Sequence, residues 1–581
     1  MATAAESGNP GAVRRALLIW GLCCGLAGVS LVIYSAAGLS AGAGAPLMPL
    51  DDVYIHFQYA HQIAAGQPYV YNPGLPPTSG ATSFLYPYLL ALGDWLGWRG
   101  LALSWWALGI GALALAGSAW LTYRSAQRAA PEWLAVLAAV IFALTGPITW
   151  HYFSGMETGL VALFVLLMLE RFLADDARGA AIGAALLALI RPEGGALALL
   201  TIAALALRHW RAPKGQRAPY LWLSLPLAAL AIQPLINLIA TGSAVASGSA
   251  AKSIFGMIPQ DWMIIIARVA ANFARMWAEF ATGYSPREGG YLPLGLIIAA
   301  IGLIPYVIRQ RRLLVGLLVA AWLVAGTGAI ATLDTAFWHF KRYQLPLMAL
   351  FVPLGAWGMA WLLAQATRIR LPQRVIGPVV GAALLIVTLA GGAQFLSHYA
   401  LNVGYVAAQP LLMAEWLRAN TPAAATVAVH DVGMMRYHGG RTTLDIVGLT
   451  TPGAAESWRH GPGAVAELIE RARPAYIAAY GHGHGFGLGQ LEDTDLYAET
   501  LAHYSVAADA RFDRFNVALA ATMQGIYRPD WAAANRGHDV VALPRLTPYL
   551  DGLTLVDQVD VADLVSERAH DYLWRDAVGG G

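Results

Sequence analysis

Cysteine is almost missing from this chain. Its 581 residues hold two, the adjacent Cys23 and Cys24, both inside the first apolar segment. That excludes a disulfide framework and a metal site built on thiolates. Charge is scarce too. Only 12% of residues are Asp, Glu, Lys or Arg, against about 25% in soluble domains. The net charge of +2 is too small to draw a nucleic acid, and no basic run carries interleaved aromatics. No solenoid-type repeat is present.

What the chain has instead is apolar length. Hydrophobic residues make up 57% of it, and its mean hydropathy is +0.52. Lipid is therefore its main solvent. Twenty tryptophans and twenty-four tyrosines suit the two membrane interfaces, where amphipathic rings are favoured.

Spans of about 20 apolar residues with Lys and Arg at their cytoplasmic ends set the topology. The first runs from about residue 16 to 38 behind Arg14 and Arg15. It exceeds the roughly 7–15 residues of a signal-peptide core and reads as an uncleaved anchor. Residues 40–100 form an external loop, with an amphipathic stretch from Phe84 to Trp98. The apolar region 179–207 is interrupted at Arg191-Pro192-Glu193 and followed by Arg208, Arg211, Lys214 and Arg217. Two short spans meeting at an outer turn keep those cations inside. Broken spans of this kind line a cavity or pack on protein. The count is about 11 helices over 1–397, with the N-terminus in the cytoplasm.

From residue 398 to 581 the composition becomes that of a soluble domain. Strand-like Thr426–His430, Gly440–Val447 and Ala475–Tyr480 alternate with helical stretches, which predicts an extracytoplasmic α/β domain. The fold class is thus a polytopic α-helical membrane protein with a C-terminal α/β domain.

Few residues can do chemistry in so apolar a chain. Asp51 and Asp52 follow the first span almost at once. One carboxylate could take a proton from an acceptor hydroxyl while the other holds a metal or the acceptor. The bland reading is an N-cap for the following helix, which needs only one Asp. Tyr54 and His56 stand on that helix. Glu157 lies at another outer helix end near His151, where helix-start electrostatics alone would explain it. Arg191 and Glu193 flank Pro192, as a local ion pair or as the lining of a cavity. Lys341, Arg342 and Tyr343 open a span on the outer face, and phosphate is a natural partner for such cations. Snorkelling to headgroups is the alternative for Lys341. Lys252, in an external loop, is expected to line the substrate cavity together with Tyr54, His56, His151, Glu193 and Tyr343. A divalent ion, Mg or Mn, is left open, with Asp52 and Glu157 as its ligands. His482 and His484 read as a flexible glycine-rich loop rather than a zinc site.

Several segments occur in a telling order: Asp51-Asp52-Val-Tyr-Ile-His-Phe-Gln-Tyr-Ala, Tyr71-Asn-Pro-Gly, Thr82-Ser, Ser154-Gly-Met-Glu-Thr, Arg191-Pro-Glu-Gly and Arg342-Tyr-Gln-Leu-Pro. Together they resemble the GT-C superfamily of polytopic glycosyltransferases, in particular the bacterial AftB-like arabinofuranosyltransferase branch. Two positions depart from that branch: Gln58, where it usually has Arg, and Ser79-Gly-Ala-Thr, where it often has Glu-Gly-Tyr-Thr. The resemblance implies a sugar donor on a polyprenyl phosphate and a glycan, lipid or protein acceptor. It also implies an inverting displacement on the outer face of a bacterial cell membrane. It assigns the base to Asp51 and the donor phosphate to Arg342, Lys341 and Arg191. A transporter or lipid flippase is the rival reading, since broken helices with internal charges serve transport as well. A non-catalytic glycan-binding scaffold is the third.

Overall fold

The computed structural model describes residues 10–213, 219–258, 260–368, 373–481, 491, 495–534, 552–554 and 556. His482 and His484 lie outside the described residues.

Helix α1 (Pro10–Ala41) is a long, mostly lipid-facing rod. The loop after it carries α2 (Asp52–Ala64) and α3 (Leu85–Trp95), packed on one another. Then come α4 (Leu103–Ala126), α5 (Glu132–Leu144), α6 (Gly146–Phe153), α7 (Thr158–Leu173), α8 (Ala177–Ile190), α9 (Gly194–Arg211) and α10 (Leu221–Thr241). The short α11 (Ser247–Ala250) precedes α12 (Trp262–Thr282), whose exposed Trp262, Met263 and Ile266 form an apolar face. A hairpin of β1 (Tyr284–Ser285) and β2 (Gly289–Gly290) leads to α13 (Leu296–Arg309) and α14 (Leu313–Ala331). The bundle closes with α15 (Trp338–Lys341), α16 (Leu345–Met348), α17 (Phe351–Arg368) and α18 (Gln373–Val406).

Five helical stretches among the described residues are long and apolar enough to cross a membrane. Two bent pairs raise the number to seven, and α8 and α13 are shorter apolar helices. The chain is a multi-pass membrane protein. Its breaks leave several of the apolar stretches read from the sequence as short or bent helices. Pro147 near the start of α6 has no N–H to extend the α5 ladder, and the pair bends by 54°. Pro192 forces Arg191 into extended backbone, so α8 stops there and α9 restarts at Gly194. Buried half-helices of this kind are tolerated because they pack on protein.

Helix α18 continues through a π turn into α19 (Leu412–Asn420), so residue 398 lies within a helix. Beyond it stand β3 (Thr426–Val429), α20 (Val432–Tyr437), β4 (Thr442–Asp445), β5 (Tyr476–Tyr480), β6 (Glu499–Ser505) and β7 (Met523–Arg528). The sheet order is β4-β3-β5-β7-β6. Its first three strands are parallel, and β7 runs antiparallel to both its neighbours. The three strands read from the sequence are present; β6 and β7 were not foreseen.

This unit is fastened to the loop after α1. Asn72 donates to the Thr443 carbonyl at 2.9 Å, and Tyr71 Oη to the Val432 carbonyl at 3.0 Å. Ser247 Oγ donates to the Leu449 carbonyl at 2.8 Å. Such bonds hold the sheet unit over the ends of the helices that carry the charged residues.

Candidate active site

Asp51 and Asp52 point to different places, because successive helical residues are turned by about 100°. Both oxygens of Asp51 accept backbone N–H groups across the interface, from Gly433 and Met434, each at 2.8 Å. Asp51 thus caps α20 and gives its own helix no side-chain cap. Gly433 is required there, since a Cβ would run into the Asp51 carbonyl oxygen. Burial and the neighbouring Asp431 push Asp51 up to about 8, against the pull of the two amide donors. Asp51 lines none of the described cavities.

Asp52 faces a cavity of about 270 Å³. Its Oδ2 lies 3.2 Å from Arg342 Nη1 and 3.6 Å from Lys252 Nζ. Burial alone would raise its pKa, but Lys252 and Arg342 hold the carboxyl well below the usual range. His56 and Arg191 line the same cavity. A smaller space of about 210 Å³ is lined by Arg191, Glu193, Lys252, Arg342 and Tyr343.

A larger groove of about 520 Å³ begins at Glu157, Arg191, Arg342 and Tyr343. It runs between the apolar side chains of Val161, Val165, Leu187, Leu197, Ile330 and Leu347. One end therefore carries two arginines and two glutamates, Glu193 among them, and the rest is hydrocarbon.

The cations are held by a chain of pairs. Arg191 bonds Glu157 and also Glu193, with Nη2 2.7 Å from Glu193 Oε1. Glu157 Oε2 lies 3.5 Å from His56 Nε2. Burial lowers His56 to about 4, with Glu157 partly opposing, so the imidazole is neutral at pH 7. Burial would raise Glu157, but Arg191 and His56 bring it down to about 2. Gly155, at φ 79°, makes the turn that presents Glu157, and a Cβ there would press on Met48 Sδ at 2.7 Å.

Arg342 follows an unusual segment. His339, Phe340 and Lys341 all have positive φ, 51°, 53° and 66°. Each such non-glycine residue costs about 1–3 kcal/mol, so the surroundings must hold the turn in place. His151 does part of this, with Nε2 2.9 Å from the Phe340 carbonyl oxygen. Lys341 does the rest, with Nζ 2.5 Å from Glu279 Oε2, 3.1 Å from Glu288 Oε2 and 3.2 Å from Ser285 Oγ. Arg342 then spreads its guanidinium over the site, with Nη1 3.2 Å from His339 Nδ1 and Nη2 donating to Tyr343 Oη at 3.1 Å. Its buried Nε makes no hydrogen bond among the described residues.

The structure places three expected site residues, and one departure from the branch pattern, away from the described cavities. Lys341 is 1% exposed, is paired with two carboxylates and lines no described cavity. His151 supports the Arg342 turn and lines no described cavity. Tyr54 is fully buried, its hydroxyl accepting the Met48 N–H at 2.9 Å, and touches no cavity. Gln58 is buried as well, donating to the Tyr71 carbonyl at 2.8 Å, so this departure from the branch pattern lies off the cavity. Sequence reasoning gave no role to His339 beside Arg342, or to Thr82 and Gly80, which line the Asp52 cavity. Their neighbourhood to the matched segments was the available signal.

The donor set does not fit a divalent ion. Among the described residues no three Asp, Glu, His or Cys side chains converge. Asp52 and Glu157 each face a cation already, and Lys252 and Arg342 stand where a metal would have to enter.

Lys341→Met is expected to lower stability by about 3–5 kcal/mol, because it leaves Glu279 and Glu288 buried without their cation. A thermal melt of the purified protein reads the loss. Donor affinity of the folded fraction should fall only as far as the Arg342 turn loosens.

A family model described as a domain of unknown function (DUF8728) matches residues 400–536. No curated protein matches the chain. Among solved structures it is similar to the archaeal oligosaccharyltransferase AglB from Archaeoglobus fulgidus in complex with an inhibitory peptide and a dolichol-phosphate. Identity there is 14%, over 78% of this chain and 69% of that one, with a TM-score of 0.42. ArnT from Cupriavidus metallidurans gives 14% identity over 88% and 98%, with a TM-score of 0.43. Arabinofuranosyltransferase AftD from Mycobacteria gives 15% over 87% of this chain and 40% of that one, with a TM-score of 0.42. At these values the likenesses carry no weight for substrate or mechanism.

Proposed function

We propose that the chain is a membrane glycosyltransferase of GT-C type. It moves a sugar from a polyprenyl-phosphate donor to an acceptor hydroxyl at the outer face of a bacterial cell membrane. One observation carries this reading: a single carboxylate, Asp52, shares its cavity with Arg342 and Lys252, and Arg342 also heads an apolar groove. A lipid phosphate has the matching shape, with a hydrocarbon tail for the groove and an anionic head for the cations. The ordered motifs resembling GT-C enzymes agree with this arrangement.

In the reaction, Arg342 and Lys252 hold the donor phosphate and Arg191 adds charge behind them. Asp52 takes the proton of the acceptor hydroxyl as its oxygen attacks the anomeric carbon. The bond from that carbon to the phosphate oxygen breaks, and the electron pair stays on the phosphate. Cations fixed in a water-poor site favour this charge build-up without reorganising. Asp51 takes no part in the chemistry; it fastens the external unit over the site. Leu449 of that unit lines the Asp52 cavity, so the unit covers the reacting groups.

Native mass spectrometry of the protein purified in mild detergent is expected to show a bound polyprenyl phosphate or its glycosylated form. If no prenyl phosphate is retained, and labelled polyprenyl-phosphate sugars give no transfer in vesicles, the reading is wrong.

A further inference from the structure

A second cavity, of about 370 Å³, opens beside the reaction site. Ala81 and Thr82 line both it and the Asp52 cavity, so one turn borders the two. No charged side chain lines it, in contrast to its neighbour. Its walls are the aromatic rings of Tyr69, Phe84 and Tyr88, the hydroxyl residues of the 78–83 turn, and two amides, Gln233 and Asn237.

Those amides are unexpected. Both stand in α10, an otherwise apolar membrane span, and both are buried. Polar side chains in such spans are costly to bury and need partners. Gln233 Nε2 donates to the Thr82 carbonyl at 2.7 Å, and Tyr69 Oη donates to Asn237 Oδ1 at 2.9 Å. The residues they hold are Tyr69 at φ 66° and Thr82 at φ 56°. A bulky and a β-branched residue in the left-handed region are both true outliers. The membrane helix thus keeps the loop in a costly shape, and that shape is what forms the cavity.

We propose that this cavity is the acceptor subsite and that it holds an uncharged sugar ring. The proposal rests on the glycosyltransferase reading above. Aromatic faces pack against the C–H face of a pyranose or furanose, while amides and hydroxyls meet its hydroxyl groups. The Tyr88 hydroxyl, which makes no hydrogen bond among the described residues, is one such group. With no cation in the lining, a uronate or a phosphate would lose its water without compensation. A ring seated here extends past Thr82 toward Asp52, where its neighbour's hydroxyl would be deprotonated.

The test uses the full chain in nanodiscs, probed with an array of uncharged pentose and hexose oligosaccharides and their uronate-containing counterparts. Retention of polyprenyl phosphate is measured on the same samples. Uncharged oligosaccharides should bind and uronates should not. Tyr88→Ala and Gln233→Leu should each weaken that binding at least about tenfold while leaving polyprenyl phosphate retention unchanged. Tyr88 is partly exposed, so its variant keeps the test meaningful if Gln233→Leu fails to fold. If the lipid is retained but no uncharged glycan binds, or Tyr88→Ala binds it as well as the native chain, the subsite is overturned and the transferase reading survives. A second lipid per chain that Tyr88→Ala releases also overturns it. Loss of both ligands overturns the subsite and the function together.

Discussion

Asp52→Asn is expected to lower the rate of sugar transfer by about 10²–10⁴-fold, the usual contribution of a positioned general base. Donor retention should survive, because the neutral amide adds no charge to repel phosphate and removes a competitor for Arg342. Asp51→Asn should behave in the opposite way. It keeps one acceptor for α20 and leaves one of the Gly433 and Met434 N–H groups without its bond, costing about 1–3 kcal/mol of stability. Transfer by the folded protein should stay within about tenfold of the native rate, since no reacting atom is touched. Single-turnover transfer with a preloaded labelled donor, read beside a thermal melt, separates the two. If Asp51→Asn stops transfer in folded protein while Asp52→Asn does not, the roles assigned to the pair are reversed.

The pair shows where the sequence stops being readable. Two carboxylates at the membrane surface announced chemistry, but not which of them supplies it. That is decided by the N–H groups of α20, 383 residues further along, and no local pattern encodes such a distance. Lys341 has the same history. Beside Arg342 in sequence, it reads as a second phosphate ligand, yet Glu279 and Glu288 claim it from α12 and the β1–β2 hairpin. The third cation of the site is Lys252; the sequence put it among the substrate-cavity residues, but its pairing with Asp52 could not be read there. Features governed by near neighbours were legible. Pro192 stops α8 where it must, and the apolar runs of β3, β4 and β5 fall where strand periodicity puts them. The left-handed run at 339–341 was not, because none of its residues is glycine or asparagine and only tertiary contacts hold it.

Arg342→Ala is expected to have the second large effect, a loss of about 10²–10³-fold in transfer of the kind seen when one fixed donor to a developing charge is removed. Arg342→Lys should recover part of it, since the charge stays but the two-pronged geometry is lost. The more telling result concerns pH. A base works only when ionised, so transfer fails as pH falls through the pKa of Asp52. In the donor-free chain Lys252 and Arg342 hold that pKa far down, which puts the acidic limb of kcat/KM, the one that reports the free enzyme, well below neutrality. Without Arg342 one of the cations that oppose the raising effect of burial is gone. The limb should therefore move to higher pH in the residual activity of Arg342→Ala, and an unchanged limb would separate Asp52 from Arg342 in function. The same pairing implies an order of binding. While Arg342 and Lys252 are turned to Asp52, the carboxylate is a weak base. A donor phosphate competes for both cations, and in taking them it frees Asp52 to accept a proton. Acceptor deprotonation is thereby tied to donor occupancy, and a chain with an empty groove is left without an active base.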